Sequence, residues 1–389
     1  MMASQHFAEG LHSYHPNGFH LVHLGDIFHC RYKVLRKLGY GRYSTVWLVE
    51  DQSCSCYRAL KILSAECYGG SSDLFELEVL KRLQDFNPKD PGHRYIPTLV
   101  DTFEHVGPNG RHVCLVLEPM GETLASFGTL FSKCQIPAPI IQRFAKQLLL
   151  ALDYAHRSGV IHGDIQPRNI MIQIPNCSII DKYLKETPAD LAASNPKSDS
   201  SILVSQPLRD FYIPESSNLR DLNIALCDWG SASWTDKHLT EVIQPVLLRA
   251  PEVIIRAPWG PPVDIWNLGA VLLEALDAVH MFDGRATQTG GVYKTQHHLE
   301  EIVALFGPFP SWLLTRGKKE VVEEYFDENG RIRNPIPRPE ALLENWIESL
   351  AGDDKAGFIM FLKRMMKIDP RDRLTPTQLL DEPWLQHTS

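Results

Sequence analysis

The chain has 389 residues, 44% of them hydrophobic, enough to bury a sizeable core in two or three domains or one large bilobal unit. Its formal charge of −8 and pI near 6.1 provide no global basic field for nucleic acid and suit basic partners instead. No apolar run approaches the roughly 18 to 20 residues of a membrane span, and Met1 to Gly10 lack the basic region and apolar core of a secretory signal.

Residues 1–31 are polar and rich in histidine and aromatics, and read either as an arm packed on the first domain or as a partly disordered lead. From Tyr32 the pattern alternates. Tyr32 to Leu38 reads as a strand, Gly39-Tyr40-Gly41-Arg42-Tyr43-Ser44 as a tight turn, and Thr45 to Glu50 as the returning strand. Glycines in such a hairpin let backbone N–H groups approach phosphate oxygens without a Cβ in the way, although an ordinary hairpin shows the same pattern.

Tyr57 to Leu63 is a third strand, and it presents Lys61 inside an apolar run, where an unpaired ammonium is costly. Lys61 therefore needs an anion. The helix predicted over Asp73 to Leu83 offers Glu76 or Glu78. Strands follow at Ile96 to Glu104 and Val113 to Glu118, and Pro119-Met120-Gly121 then breaks the pattern, making 118–121 a natural hinge.

Beyond the hinge the period becomes helical: Ile140, Ile141, Phe144, Ala145, Leu148, Leu149, Leu152 and Ala155 mark one face of a helix ending near Ser158-Gly159. It delivers the chain into Val160 to Ile172, a turn between two apolar runs in which the carboxylate Asp164 precedes the carboxamide Asn169 by five residues. Such a pair of a carboxylate and a carboxamide in one turn suits a reaction centre.

Residues 175–220 are rich in Ser, Pro, Asn and Asp with little sustained periodicity and read as an exposed insertion. Leu222 to Cys227 then forms a strand that releases Asp228 beside Gly230, a second position for a metal-binding carboxylate. Further on come Ala250-Pro251-Glu252, an apolar helix from Pro262 through Leu276 containing Asp264, and Arg373 before a final helix. Glu252 and Arg373 are candidates for a buried ion pair. The eight cysteines form no C-x-x-C pair, which favours reduced thiols in the cytoplasm or nucleus over a zinc site.

Taken in order, the glycine hairpin, Lys61, Glu76, Asp164, Asn169, Asp228, Ala250-Pro251-Glu252, Asp264 and Arg373 resemble a eukaryotic protein kinase over about Tyr32 to Leu385. Gly18-Phe-His-Leu-Val-His-Leu-Gly-Asp26, the run from Arg31 to Leu48 and the run from Lys237 to Gln244 resemble more narrowly the SR-protein kinases, which phosphorylate arginine/serine-repeat splicing factors. The resemblance implies an α+β bilobal fold, with a β-rich N-lobe over 32–117, a hinge over 118–121 and a helical C-lobe over 122–385. It implies ATP and Mg²⁺, a protein substrate of arginine/serine-rich type, no direct nucleic acid or membrane partner, and a monomer.

By that resemblance Lys61 binds the α- and β-phosphates and pairs with Glu76, Asp164 is the catalytic base, and Asn169 and Asp228 hold Mg²⁺. Leu38, Val46, Ala59 and Leu117 enclose adenine, Glu118 and Met120 lie on the hinge, and Gly39, Gly41 and Ser44 form the phosphate turn. Asp264 supports the catalytic loop.

The chain departs from the pattern at several positions. Gln166 stands where most Ser/Thr kinases carry a lysine, Gly163 where an arginine usually grips an activation-loop phosphate, and Pro245 and Leu248 replace a threonine and a tyrosine. Gly163 predicts activity without such phosphorylation, while Gln166 and Pro245 leave a pseudokinase scaffold as the alternative. His162-Gly-Asp164 and Asp228-Trp229 also resemble aminoglycoside and choline phosphotransferases, which do not usually carry the Ala-Pro-Glu, Asp-x-Trp and late arginine found here.

Overall fold

A computed structural model describes residues 9–68, 74–187, 221–286, 291–336 and 342–386. The chain divides into two compact units, the first made of Met1–Gln84, Pro97–Glu122 and Ile172–Leu222 and the second of Asp85–Ile96, Thr123–Met171 and Asn223–Ser389.

The first unit is built on a six-stranded antiparallel sheet. Its strands are β1 (Ile27–Phe28), β2 (Tyr32–Tyr40), β3 (Ser44–Asp51), β4 (Cys56–Leu63), β5 (Leu99–Gly107) and β6 (Gly110–Leu117), arranged β1-β2-β3-β4-β6-β5. The alternation read from Tyr32 onward places Tyr32, Val34, Trp47, Val49, Leu60, Ile62, Cys114 and Val116 in one core cluster. The register of β4 pairs Lys61 with Val46 and Leu115, and Ala59 with Leu48 and Leu117. Period two therefore puts Val46, Ala59, Lys61, Leu115 and Leu117 on the face opposite that core. Strand β5 starts at Leu99 rather than Ile96, because Ile96 caps the short 3₁₀ turn Pro91–Tyr95 and Pro97 follows it.

From residue 9 onward the arm is packed. Val22 and Phe28 join the core of the sheet, and Ala65 and Glu66 donate backbone hydrogen bonds to Gly18 and Asn17. Glu9 and Lys37, both almost fully buried, form an ion pair to which the Tyr14 hydroxyl also donates, so the arm neutralises a cation two residues before Gly39.

The stretch 175–220 is corrected in its first part. Ser178–Glu186 is a helix with Ile180 and Tyr183 fully buried; Asp181 accepts from the Tyr57 hydroxyl at 2.6 Å and Thr187 O accepts from Arg36 at 2.6 Å. Ile179, Ile180, Tyr183 and Leu184 recur at helical spacing, a short signal masked by the polar residues around it. The remainder of that stretch, 188–220, lies outside the described residues.

The second unit is helical. Ala138–Arg157 buries the apolar face read from its period, and Pro262–Asp277 is buried on nearly all sides. Gly269 in the latter helix is needed for packing, since a Cβ there would come within 2.8 Å of Met366 Cγ. The expected ion pair forms: Arg373 donates to Glu252 at 2.6 and 2.7 Å with both side chains fully enclosed. Thr375 and Gln378 form a capping box on the helix Pro376–Leu380.

Two predictions follow from these contacts. Glu252→Ala leaves the Arg373 guanidinium buried without its partner, and denaturant unfolding should show a loss of about 3–5 kcal/mol. His20, packed against Phe28, His105 and His112 with His23 and Asp26 nearby, is pulled by burial from 6.5 down to about 4. The unfolded chain therefore binds the extra proton first, and thermal stability should fall as pH drops from 6.5 toward 4, a dependence that His20→Leu should flatten.

Candidate active site

In the first unit the site begins at the turn between β2 and β3, closed by Gly41 N–H donating to Ser44 O at 2.8 Å. Gly39 has neither a left-handed φ nor a neighbour that would exclude a side chain, since a Cβ added there meets nothing within 4 Å. Neither backbone strain nor packing requires this glycine. A bare backbone there is compatible with a phosphate chain laid against the turn.

On β4, Lys61 donates to Glu76 Oε1 at 2.7 Å, with Lys61 11% and Glu76 3% exposed at the side chain. The helix carrying Glu76 is Glu76–Phe86, so its start lies three residues later than the pattern indicated. Among the two carboxylates offered by the sequence, Glu76 faces Lys61. Val46 and Leu117 are half-buried and Ala59 is buried on the same face of the sheet, Leu38 is half-buried on β2, Glu118 is exposed, and Met120 opens the short strand Met120–Thr123.

In the second unit the loop after the strand Val160–Ile161 is held from beneath by Asp264, which is fully buried. Its carboxylate accepts the backbone N–H of His162 and of Gly163, each at 2.9 Å, and meets His156 Nε2 at 2.9 Å. Burial alone would raise the Asp264 carboxyl, but the hydrogen bond and charge of His156 and the backbone donor of Gly163 outweigh it and hold it below the ordinary carboxylate range. His162 donates through Nε2 to Cys227 O at 3.0 Å and accepts from Asp164 N–H, and its ring meets that of Trp229 at 4.6 Å.

Asp164 and Asn169 are brought together as the spacing suggested. Asn169 Nδ2 donates to Asp164 O and to Asp164 Oδ2, both at 2.8 Å. Gln166 Nε2 lies 3.0 Å from each Asp164 oxygen. Burial lifts the Asp164 carboxyl above its ordinary range, with the Asp228 charge adding to the lift and hydrogen bonds from Gln166 and Asn169 opposing it. Asp228 stands at the end of the strand Ile224–Leu226 with a left-handed φ of 62°, and Cys227 N–H donates to Asn169 O at 2.7 Å, tying the two candidate metal ligands to one another.

The donor set suits Mg²⁺. Asn169 spends its N–H donors on Asp164, which turns its carbonyl oxygen to the other side, and Asp228 supplies a hard carboxylate. Among the described residues no group of three or more His, Cys, Asp or Glu side chains could hold a metal. Asn169 and Asp228 together fit Mg²⁺, which takes one or two protein ligands and completes its octahedron with phosphates and water.

Sequence reasoning missed three contributors. His156 supports Asp264 from 108 residues away, a distance at which spacing carries no signal. Gln244 is locked by Val263 O, Asn267 and the Ala250 N–H, and its own N–H donates to Gly163 O at 2.9 Å. Gln166 was legible as a departure, but not as a partner of Asp164. The structure gives no contact that would assign Pro245 or Leu248 a role with a substrate.

Sheet and helices of this arrangement, with this loop, are those of a protein kinase. The protein kinase domain family matches residues 32–186 and 202–385, which leaves out 187–201 and takes in the helix Ser178–Glu186. A serine/threonine protein kinase of Aspergillus fumigatus is 35% identical over 371 residues, covering 94% of this chain and 87% of that protein. The serine/threonine-protein kinase SRPK of Physarum polycephalum is 29% identical, covering 97% and 91%, and human SRSF protein kinase 3 is 25% identical, covering 96% and 89%. The solved structure of the PF14_0431 kinase domain matches with a TM-score of 0.70 at 21% identity, over 94% of this chain and 98% of that one, and speaks to the fold alone. The chain belongs to the protein kinase family, as a serine/threonine kinase related to the SR-protein kinases. No helix among the described residues is long and apolar enough to cross a membrane.

Asp264→Ala should leave the His162 and Gly163 N–H groups buried without acceptors, at a cost of about 1–3 kcal/mol for each. Denaturant unfolding checks this, and phosphoryl transfer should fall further than stability alone explains because the loop carrying Asp164 loses its support.

Proposed function

We propose that this kinase transfers the γ-phosphoryl group of MgATP to serine, and to threonine, in an arginine/serine-rich protein. The observation that carries the reading is the Asp164 carboxylate, oriented by Asn169 and Gln166 on a loop anchored to the buried Asp264. A carboxylate so placed accepts the proton of an acceptor hydroxyl. Lys61, itself steered by Glu76, holds the α- and β-phosphates, and the turn from Gly39 to Ser44, closed by the Gly41 N–H on Ser44 O, lies along the phosphate chain. Leu38, Val46, Ala59 and Leu117 offer apolar surface to adenine, with Glu118 and Met120 contributing backbone polar groups.

Asn169 and Asp228 would hold Mg²⁺, which when bound neutralises charge on the phosphate oxygens. Catalysis is then positioning plus electrostatic stabilisation. A scaffold that binds nucleotide without transfer gains no support, because the Lys61–Glu76 pair is closed and Asp164 is oriented. Gly163 supports activity without activation-loop phosphorylation: its carbonyl accepts Gln244 N–H, so protein groups hold the segment that a phosphate would otherwise hold.

The substrate class rests on relatives named as SRSF and SRPK kinases and on a net charge of −8, which suits a basic partner. All eight cysteines are free, which supports a reducing compartment, cytoplasm or nucleus, and we take the enzyme to act there as a monomer.

Transfer of labelled γ-phosphate from MgATP to an arginine/serine-repeat peptide, beside a generic basic protein, tests the reading. Asp164→Ala should lower transfer by about 10²–10⁴-fold with nucleotide affinity nearly unchanged, and Lys61→Met should lower both. Full transfer by Asp164→Ala would overturn the role of Asp164. Equal use of the basic protein would overturn the substrate class while leaving the kinase activity in place.

A further inference from the structure

Gln166 is the departure that the activity itself does not explain. Among the described residues its carboxamide hydrogen-bonds to Asp164 alone, with Nε2 at 3.0 Å from both carboxylate oxygens, while its carbonyl oxygen on the backbone accepts Asn169 N–H at 2.9 Å. Asn169 Nδ2 reaches only Oδ2, at 2.8 Å. The two carboxamides thus load the two oxygens unequally. Oδ2 receives Gln166 and Asn169 and has both lone-pair directions occupied, whereas Oδ1 receives Gln166 only.

We infer that Gln166 is a positioning residue that, with Asn169, fixes the plane of the Asp164 carboxylate and assigns proton acceptance to Oδ1. The inference rests on Asp164 being the base. In the transfer step the acceptor hydroxyl gives its proton to Oδ1 while its oxygen bonds to the γ-phosphorus. The bond from that phosphorus to the bridging oxygen breaks, and its electron pair leaves with ADP.

Asn169 alone grips one oxygen and leaves the carboxylate free to turn about the axis through that contact. The contact from Gln166 to both oxygens removes that freedom. The length of the side chain matters as well, since an asparagine at 166 would fall one carbon short of a nitrogen now in hydrogen-bonding range of both oxygens.

The test compares Gln166→Met, which keeps length and removes the donor, with Gln166→Lys, which restores a donor, and with Asp164→Ala. Each variant is checked first by its melting midpoint and by nucleotide affinity from equilibrium titration, both expected to match the parent. Gln166→Met should lower kcat by about 10- to 100-fold, as loss of alignment at a reacting group does, with the KM for ATP and for the peptide within about twofold. Gln166→Lys should recover kcat to within about threefold of the parent, since the donor rather than the amide is what the position supplies.

Parental kcat in Gln166→Met, a loss that falls in KM instead of kcat, or a Gln166→Lys no better than Gln166→Met would each overturn the inference. Transfer persisting in Asp164→Ala would instead overturn the base assignment beneath it.

Discussion

The buried carboxylate of Asp264 is the contact on which the reaction loop depends. A loop that must present Asp164 and Asn169 outward cannot spend its own backbone donors on a regular ladder, and an N–H buried without a partner is costly. Asp264 resolves this from the helix Pro262–Asp277, accepting from two consecutive N–H groups while His156 keeps the carboxylate charged. Because that helix is enclosed on nearly all sides, its stiffness passes to the loop.

The same economy appears around it. Gly163 takes a left-handed φ of 71° that places its N–H on Asp264 and its carbonyl on Gln244, so one residue joins the loop, the apolar helix and the segment before Ala250-Pro251-Glu252. A larger residue there would be strained by that φ, and its Cβ would sit 3.3 Å from Ser231 O. The segment is held through Gln244 and its bonds to Val263 and Asn267. In the first unit, the ammonium of Lys61 similarly depends on Glu76, and that of Lys37 on Glu9.

Much of the site could be read from the chain because its chemistry is local or strongly ordered. A lysine within an apolar strand demands an anion wherever it occurs, and Asp164 with Asn169 belongs to one turn. The sheet was legible through its period-two pattern, with strand ends shifted by one to three residues, at the start of β5 because Pro97 and the cap Ile96 intervene and at its end because the pairing with β6 runs on to Gly107 and Gly110. The helix Ser178–Glu186 was not legible, since two turns of apolar residues amid serine, proline and asparagine give too short a signal to outweigh composition.

Residue types, their order and their periodicity determined by themselves the fold class and the family, because the apolar faces show in the periodicity and the motifs in their order along the chain, and they marked the groups proposed to react. Tertiary structure alone decided other partners. His156 joins Asp264, Glu9 returns to Lys37, and Gln166 turns onto Asp164. Those choices depend on angles and on separations of up to 108 residues, where spacing along the chain carries no information about distance in space.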